Sequence, residues 1–592
     1  MAHEDLLKNS ISANTPESTI GFIDQVRMMV RALWGARVRT QLILLAASLL
    51  AIILVTAYAQ VLVNEWNVPF YDAIARRDLA GFYKQLRVFA LIAGALLLLN
   101  VAQTWFNQIT ALKMREGLAR DLVDQWLHPK RALRLSSTGI LGVNPDQRLH
   151  EDASHLSEIT TSLAIGLVQA TITLASFVGV LWDLSEGFVF HVSDHSFSIP
   201  GYMVWAAVIY ALSASLLSAL VGRKLVSLNA DRYSKEAELR ATLMRSNENI
   251  TAITLLKGET NERVRIDTDI TAVLGVMRRL AFALTNLRWV SAGYGWLTVI
   301  APILIAAPVY FSGGMTFGGL MMTVGAFNQV YTALRWYVDN FGTIADWKAT
   351  LMRVASFRQA LLQMDDVVPQ QGTIVTDATG DGSLTIGNLD IFAEKGTAPQ
   401  ANGLRLRERD VVIQPGERVM VNGDPGVNRR LFFLALSGWW PWGTGQIGLP
   451  PEDETLNLPQ AGYLPKGSLR EVISFPAAVD AYPQADIETA LDKVGLSRLA
   501  GMIDTTARWD RTLDKDEQVS LLFATALLRR PRWIIFDDVL EGLEHETQTR
   551  LMGALDELRD TTVLYVGRSD VFAGSTAPRV LHLEPLSPQA AV

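Results

Sequence analysis

Apolar residues along this chain follow two rhythms that change over near residue 362. Six long apolar runs, 41–63, 88–109, 159–181, 202–221, 289–311 and 317–338, are separated by stretches of which all but the short 312–316 carry charge. A helix rises about 1.5 Å per residue, so each run can cross roughly 30 Å of hydrocarbon. The pattern therefore predicts six transmembrane helices. Ahead of them, 22–40 repeats apolar residues on a helical period and carries Arg27, Arg31, Arg37 and Arg39, as an elbow helix on the inner membrane surface does. A further helix ends near Leu362, and the Pro-, Gly-, Thr- and Asp-rich stretch 368–382 reads as a linker. Beyond it the rhythm shortens. Residues 384–392 and 404–413 alternate as strands, 418–422 and 533–536 have the length of buried strands, and 431–436 and 517–530 read as helices. The domains expected are 1–362 in the membrane, a linker 363–382, and an α/β domain 383–592.

Basic residues set the expected orientation. Lys113, Arg115, Arg120, Lys130, Arg131, Arg134 and Arg148 follow the second run, and Arg223, Lys224, Arg232, Lys235, Arg240 and Arg245 follow the fourth. Residues 183–201 and 312–316 hold no Lys or Arg, so both termini are expected in the cytoplasm. The first outer loop, with Arg76, Arg77 and Lys84, departs from this rule; its acids and aromatics suggest a short amphipathic helix at the outer surface.

Composition narrows the classes. A chain of 592 residues with 49% apolar content combines membrane and soluble parts, and a net charge of −7 argues against a nucleic-acid partner. With no cysteine there are no disulfides, thiolate metal sites or thiol catalysis, and the eight histidines show no metal-ligand spacing.

The chemistry concentrates at 513–544, LDKDEQVSLLFATALLRRPRWIIFDDVLEGLE. An apolar strand ends there in Asp537 and Asp538, placing two carboxylates at the carboxyl edge of a sheet, where open α/β folds bind ligands. An acid pair of this kind is commonly just a turn or a cap. The order helix, Arg-Arg-Pro, apolar strand, acid pair, Gly-Leu-Glu is more specific, and it resembles the signature, Walker B and D-loop block of ABC transporter ATPases. In this form it is similar to the ABC half-transporters of the ABCD/YddA and BacA/SbmA-like peptide transporter group. The resemblance implies an all-α, type IV exporter-type transmembrane domain of six helices fused to an α/β P-loop-type nucleotide-binding domain. It extends to Asn144-Pro145-Asp146-Gln147-Arg148 with Glu151-Asp152, to Glu236-Ala237-Glu238-Leu239-Arg240 continuing to Glu259, and to Asn64, Trp66, Asn67 and Phe70-Tyr71-Asp72.

Departures from that pattern cluster at the nucleotide. A strand, a glycine-bearing loop and a helix start make an anion cradle. A working P-loop adds a Lys for the phosphates and a Ser or Thr for Mg²⁺. Here GDPGVNRR places Arg429 and Arg430 at those positions, keeps Gly423 and Gly426, offers no amide at Pro425, and has Asn428 in place of a glycine, able to take φ > 0. A cation about 4 Å from a metal position opposes the metal by roughly 4 kcal/mol at an effective dielectric of ~20. The signature-like loop, Leu513-Asp514-Lys515-Asp516-Glu517-Gln518, turns two carboxylates toward where phosphate would arrive. Asp538 stands one methylene short of the expected catalytic Glu, and Val566-Gly567-Arg568-Ser569 lacks the switch His, whereas Asp537 and Gln460 are kept. These changes predict weak ATP binding, opposition to Mg²⁺, and little or no hydrolysis.

Coupling to a proton gradient, as the resemblance to BacA/SbmA-like proteins implies, needs titratable groups on a pathway. Glu65, Asp72, Asp183, Glu186 and Asp339 are candidates near span ends, with Asp194 and Arg335 nearby and His191 and His195 as external pH sensors, although such positions are ordinarily just solvated. Trp105, Phe106, Trp289, Tyr294, Trp296, Tyr331, Trp336 and Tyr337 could equally line a cargo cavity or pack helices. The expectation is a bacterial inner-membrane transporter of peptide-like or other bulky cargo, surrounded by lipid and paired with itself or a related half-transporter. An ATP-driven transporter with unusual site chemistry and a non-transporting sensor or scaffold are the rivals.

Overall fold

The structure is a computed structural model describing residues 21–129, 131–136, 145–185, 190–192, 195–197, 199–364, 373–392, 403–424, 427–460, 462–567 and 578–586. The chain divides into two compact units, Met1–Leu362 and Gln363–Val592.

The first unit is helical: α1 (Phe22–Gly35), α2 (Arg39–Ala75), α3 (Leu79–Trp126), α4 (Ala153–Leu184), α5 (Tyr202–Gly222), α6 (Leu225–Glu248), α7 (Glu259–Phe311), α8 (Phe317–Asp339) and α9 (Phe341–Gln363). The apolar runs predict only the middles of these helices. α7 has 53 residues, about 80 Å at the helical rise, more than twice a hydrocarbon core. Charged extensions such as its Glu259–Arg265 segment are solvated helix, which apolar counting omits. A hairpin of β1 (Phe190–Val192) and β2 (His195–Phe197) occupies part of the basic-free stretch before α5.

Among the described residues, five helices are long and apolar enough to cross a membrane. α8, the sixth predicted span, is a 23-residue helix with a lower apolar content. Its reason is packing: it lies against α2, α4, α5 and α7, burying Leu320, Thr323, Ala326, Phe327 and Val330, and a helix surrounded by protein needs less hydrophobicity than one facing lipid.

Between residues 64 and 87, the separate amphipathic helix expected from the sequence is absent. α2 continues through Pro69 to Ala75, and α3 starts at Leu79 with Asp78 accepting a hydrogen bond from the Gly81 amide. Trp66 stacks on Phe70 at 4.3 Å, lies 4.8 Å from Phe89, and donates from Nε1 to the Gln85 carbonyl. These aromatics staple α2 to α3, so they continue the long helices. At the other end the chain breaks between Gly35 and Arg39, and a Cβ on Gly117 would sit 2.8 Å from Val38, so α3 needs glycine where the elbow crosses it.

The second unit is built on a ten-stranded sheet ordered β3 (Val375–Ala378), β8 (Gly443–Leu449), β4 (Leu384–Ile391), β5 (Leu404–Leu406), β14 (Arg579–Pro585), β7 (Arg418–Gly423), β13 (Thr562–Val566), β12 (Trp533–Asp537) and β9 (Thr455–Leu458), with β6 (Asp410–Ile413) paired to β4. β14, β7, β13, β12 and β9 are mutually parallel, and β12 and β13 are buried along their whole length, as helix-covered parallel strands require. Two sequence expectations change here. The expected linker contains β3, which its turn-forming composition conceals. The single strand 404–413 is two strands, because the polar residues 407–409 bend the chain between them. A short ribbon of β10 (Gly467–Ser468) and β11 (Thr506–Ala507) and helices α10 (Arg429–Leu436), α11 (Gln484–Lys493), α12 (Lys515–Arg529) and α13 (His545–Asp556) belong to the same unit.

Candidate functional site

Sheet register assembles the site. Asp537 pairs with Val566, and Val566 pairs with Val421, so the acid pair and the end of β7 share the carboxyl edge of one parallel sheet. β9 pairs Leu458 with Phe536, which brings exposed Gln460 to the same edge. β7 ends at Gly423, and α10 begins at Arg429; Pro425 and Gly426 lie outside the described residues.

Arg429 closes this cradle. Its Nη2 lies 2.9 Å from Asp538 Oδ2, and its aliphatic stem packs over Gly423. Asp538 sits at φ +46, a strained setting for a non-glycine residue, held by its own amide donating to the Val566 carbonyl at 2.8 Å. The Tyr565 hydroxyl donates to Asp538 Oδ1 at 3.3 Å. A Cβ on Gly567 would approach that oxygen to 2.7 Å, so the glycine leaves room for the carboxylate. Burial pushes the Asp538 carboxyl up to about 6, the hydrogen-bonded Glu541 adds to the rise, and Arg429 offsets only part of it. Burial likewise raises Asp537, against the fields of Arg430 and Arg429. Arg430 itself is exposed, so solvent screens it, and the cation that fills the cradle is Arg429. Asn428 has φ −82 and makes no side-chain cap, so it does not use the left-handed conformation open to it; the helix starts at Arg429.

The signature-like segment is tied down by its own side chains. Asp514 is the N-cap of α12: its carboxylate accepts the Glu517 amide at 2.9 Å, and the Glu517 carboxylate accepts the Asp514 amide at 3.2 Å. Such a reciprocal cap satisfies amides that a helix start otherwise presents to an anion. Asp516 Oδ2 accepts from the Glu544 amide at 3.0 Å, and Lys515 Nζ donates to the Glu541 carbonyl at 3.2 Å. Gln518 donates to the Asp510 and Leu513 carbonyls, and Arg498 pairs with Glu517. Leu513 is buried. The sequence reading misses Tyr565 and Glu541; a tyrosine in an otherwise apolar buried strand beside the acids is the signal that could find them. Arg568 and Ser569 lie outside the described residues.

The membrane candidates are scattered. Asp72 Oδ1 accepts the Gly318 amide at 2.8 Å, capping α8 from α2. Asp339 pairs with Arg335 at 2.9 Å, and Arg335 also donates to the Tyr331 hydroxyl. Glu65 and Asp183 are exposed. Glu186 and Asp194 lie outside the described residues, as do the side chains of His191, His195 and Tyr337. Trp105, Trp289 and Trp296 are exposed, whereas Tyr331 is buried against Tyr210. Asn64 is buried where α2 meets Gly325, whose added Cβ would lie 2.3 Å from its Oδ1, so that residue fastens helices. Arg148, at the start of a π-helical turn, and Arg353 of α9 both bond Asp152; they hold its carboxyl below the usual range although burial acts the other way. Asn144 and Lys130 lie outside the described residues.

A bundle of spanning helices continued into solvent, followed by an α/β unit with a strand-loop-helix cradle beside an acid-ended strand, defines an ABC half-transporter. Residues 29–311 match the family described as ABC transporter transmembrane region 2. The chain is 26% identical over 550 residues to the inner membrane ABC transporter ATP-binding protein YddA of Escherichia coli, covering 90% of this chain and 92% of that one. It is 24% identical to ABC transporter D family member 2, chloroplastic, of Arabidopsis thaliana, covering 88% and 80%. A bacterial Atm1-family ABC exporter solved with ATP bound has the same fold, with a TM-score of 0.69 and 16% identity over 93% of this chain and 95% of that one. Over most of its length, then, this chain is similar to integral membrane ABC half-transporters of the ABCD type, and it has the exporter fold.

Proposed function

We propose that this half-transporter moves bulky, peptide-like cargo across a bacterial inner membrane, as a homodimer or with a related half, with both termini in the cytoplasm and without hydrolysing ATP. The observation that carries this reading is that both phosphate-facing elements are satisfied from within: Arg429 is bound to Asp538, and the start of α12 is capped by Asp514. The donor set does not fit a Mg²⁺-bound triphosphate, since an arginine stands at the hydroxyl position and the nearest carboxylate is engaged by another. The site can hold phosphate weakly through arginine alone. Transport then draws on the proton gradient. Purified full-length protein should show only background phosphate release with Mg²⁺-ATP, the same in Asp538→Asn. Proteoliposomes should accumulate a labelled peptide when an inward or outward proton gradient is imposed. Site-dependent hydrolysis would overturn the first half, and no gradient-dependent movement of any peptide tested would overturn the second in favour of a sensor or scaffold.

One observation favours a second reading. YddA is described as an ATP-binding protein and the Atm1-family exporter was solved with ATP, so the fold is one that accommodates this nucleotide. On that reading Arg429 swings off Asp538 when nucleotide binds, and hydrolysis lost in Asp538→Asn would support it.

A further inference from the structure

Where the elbow helix turns into the first span, the membrane unit has a cavity of about 530 Å³ that no step above uses. Arg31, Arg37, Arg120 and Arg358 line it with Asp121 and Asp124, four cations against two anions. Asp121 is engaged by Arg358 at 2.7 Å, and Arg120 pairs with Glu116 at 2.8 Å. Arg31 and Arg37 are exposed and have no ion pair or hydrogen bond among the described residues. The N-cap of α2, Val38, also lines the cavity and supplies no side-chain cap, so the first turn of a 37-residue helix opens there with its amides free of side-chain acceptors. About 60–100° around α1 from Arg31, Ile23, Val30 and Trp34 are more than half exposed, at 72%, 51% and 59%. A helix that sets exposed Trp and aliphatics beside arginines lies in the headgroup plane, with the arginines at phosphate depth.

We propose that this cavity binds the phosphate of an anionic glycerophospholipid from the cytoplasmic leaflet, held by Arg31, Arg37 and the first turn of α2, with the lipid's acyl chains running beside Trp34. The proposal rests on the orientation proposed above. Its readout is lipid binding, so it stands or falls separately from ATP hydrolysis and transport. The test is a binding titration of the full-length protein in neutral detergent with fluorescent phosphatidylglycerol and phosphatidylcholine. Phosphatidylglycerol should bind more tightly. Arg31→Gln/Arg37→Gln should weaken it on the order of tenfold while leaving phosphatidylcholine unchanged. Arg27→Gln, on the same helix outside the cavity, should keep the preference. The charge-reversed Arg31→Glu/Arg37→Glu pair, with monodispersity and helicity checked, should drop phosphatidylglycerol below phosphatidylcholine. Equal binding of the two lipids, or a preference that survives both double variants, overturns the proposal. Displacement of the lipid by millimolar inorganic phosphate would assign the cavity to free anions and overturn it equally.

Discussion

The starts of α10 and α12 are two helix N-termini in one unit, and the fold offers both to phosphate. They differ in sign. At α10 the cation Arg429 reaches across to Asp538, whereas at α12 the anion Asp514 folds back on its own helix. An ion pair between separate elements can be opened by a competing anion, because Arg429 would exchange one oxyanion for another. A capping carboxylate cannot be exchanged so simply: phosphate approaching it meets like charge, and its removal leaves amides uncovered. The comparison therefore makes the cradle the adjustable half of the site and the signature-like half the fixed one.

The largest effect should come from the cradle. Arg429→Lys/Arg430→Ser restores the residue types that a phosphate loop uses and removes a cation from the metal position. With the field of exposed Arg430 discounted for solvent, Mg²⁺-ATP affinity should rise about tenfold to hundredfold. The same titration of Asp514→Ser/Asp516→Gly should gain far less, since the phosphate cradle itself still carries Arg429 and Arg430; equal gains would erase the distinction.

Next in size is a pH effect confined to the cradle. Asp538 binds its proton more tightly folded, at about 6, than at its ordinary 3.8, so its contribution to stability is fully present below about pH 4 and is lost as pH rises through about 6. Protonation also loosens its hold on Arg429. Metal-free pyrophosphate should therefore bind severalfold more tightly at pH 5.5 than at 7.5 in the wild type, and Asp538→Asn should bind at pH 7.5 as the wild type does at 5.5. A pH dependence unchanged in Asp538→Asn would remove Asp538 from the account.

The smallest effect tests the fixed half. Losing a cap costs about 1 kcal/mol, so Asp514→Ala should lower the melting temperature of the second unit by roughly 2–4 °C, and Asp514→Ser, which can still cap, by less. An unchanged melting temperature in Asp514→Ala would mean that the cap contributes nothing.

Hydrophobic length carried most of the membrane fold, because burial in lipid selects long apolar runs whatever their neighbours are. It underestimated α7, whose solvated end has no apolar signature, and overestimated the hydrophobicity of α8, which protein covers. In the second unit the acid-ended strand was legible because a parallel strand is apolar on both faces and stops abruptly at Asp537. The partnership of Arg429 with Asp538 was not, since 109 residues separate them and only sheet register joins them. Nor was the double use of Asp514 and Glu517 read as a capping box, although the three-residue spacing was there to see. From sequence the charge of Asp514 points to a distant phosphate, whereas the nearest unsatisfied amides are those of its own helix start.

We propose that the cradle is filled from within by Arg429 and leaves no place for a metal ion. An equilibrium titration of the full-length protein with ATP, in the presence and absence of Mg²⁺, tests this. Binding should be weak and either unchanged or weakened further by Mg²⁺; a tenfold or greater tightening by Mg²⁺ would contradict it.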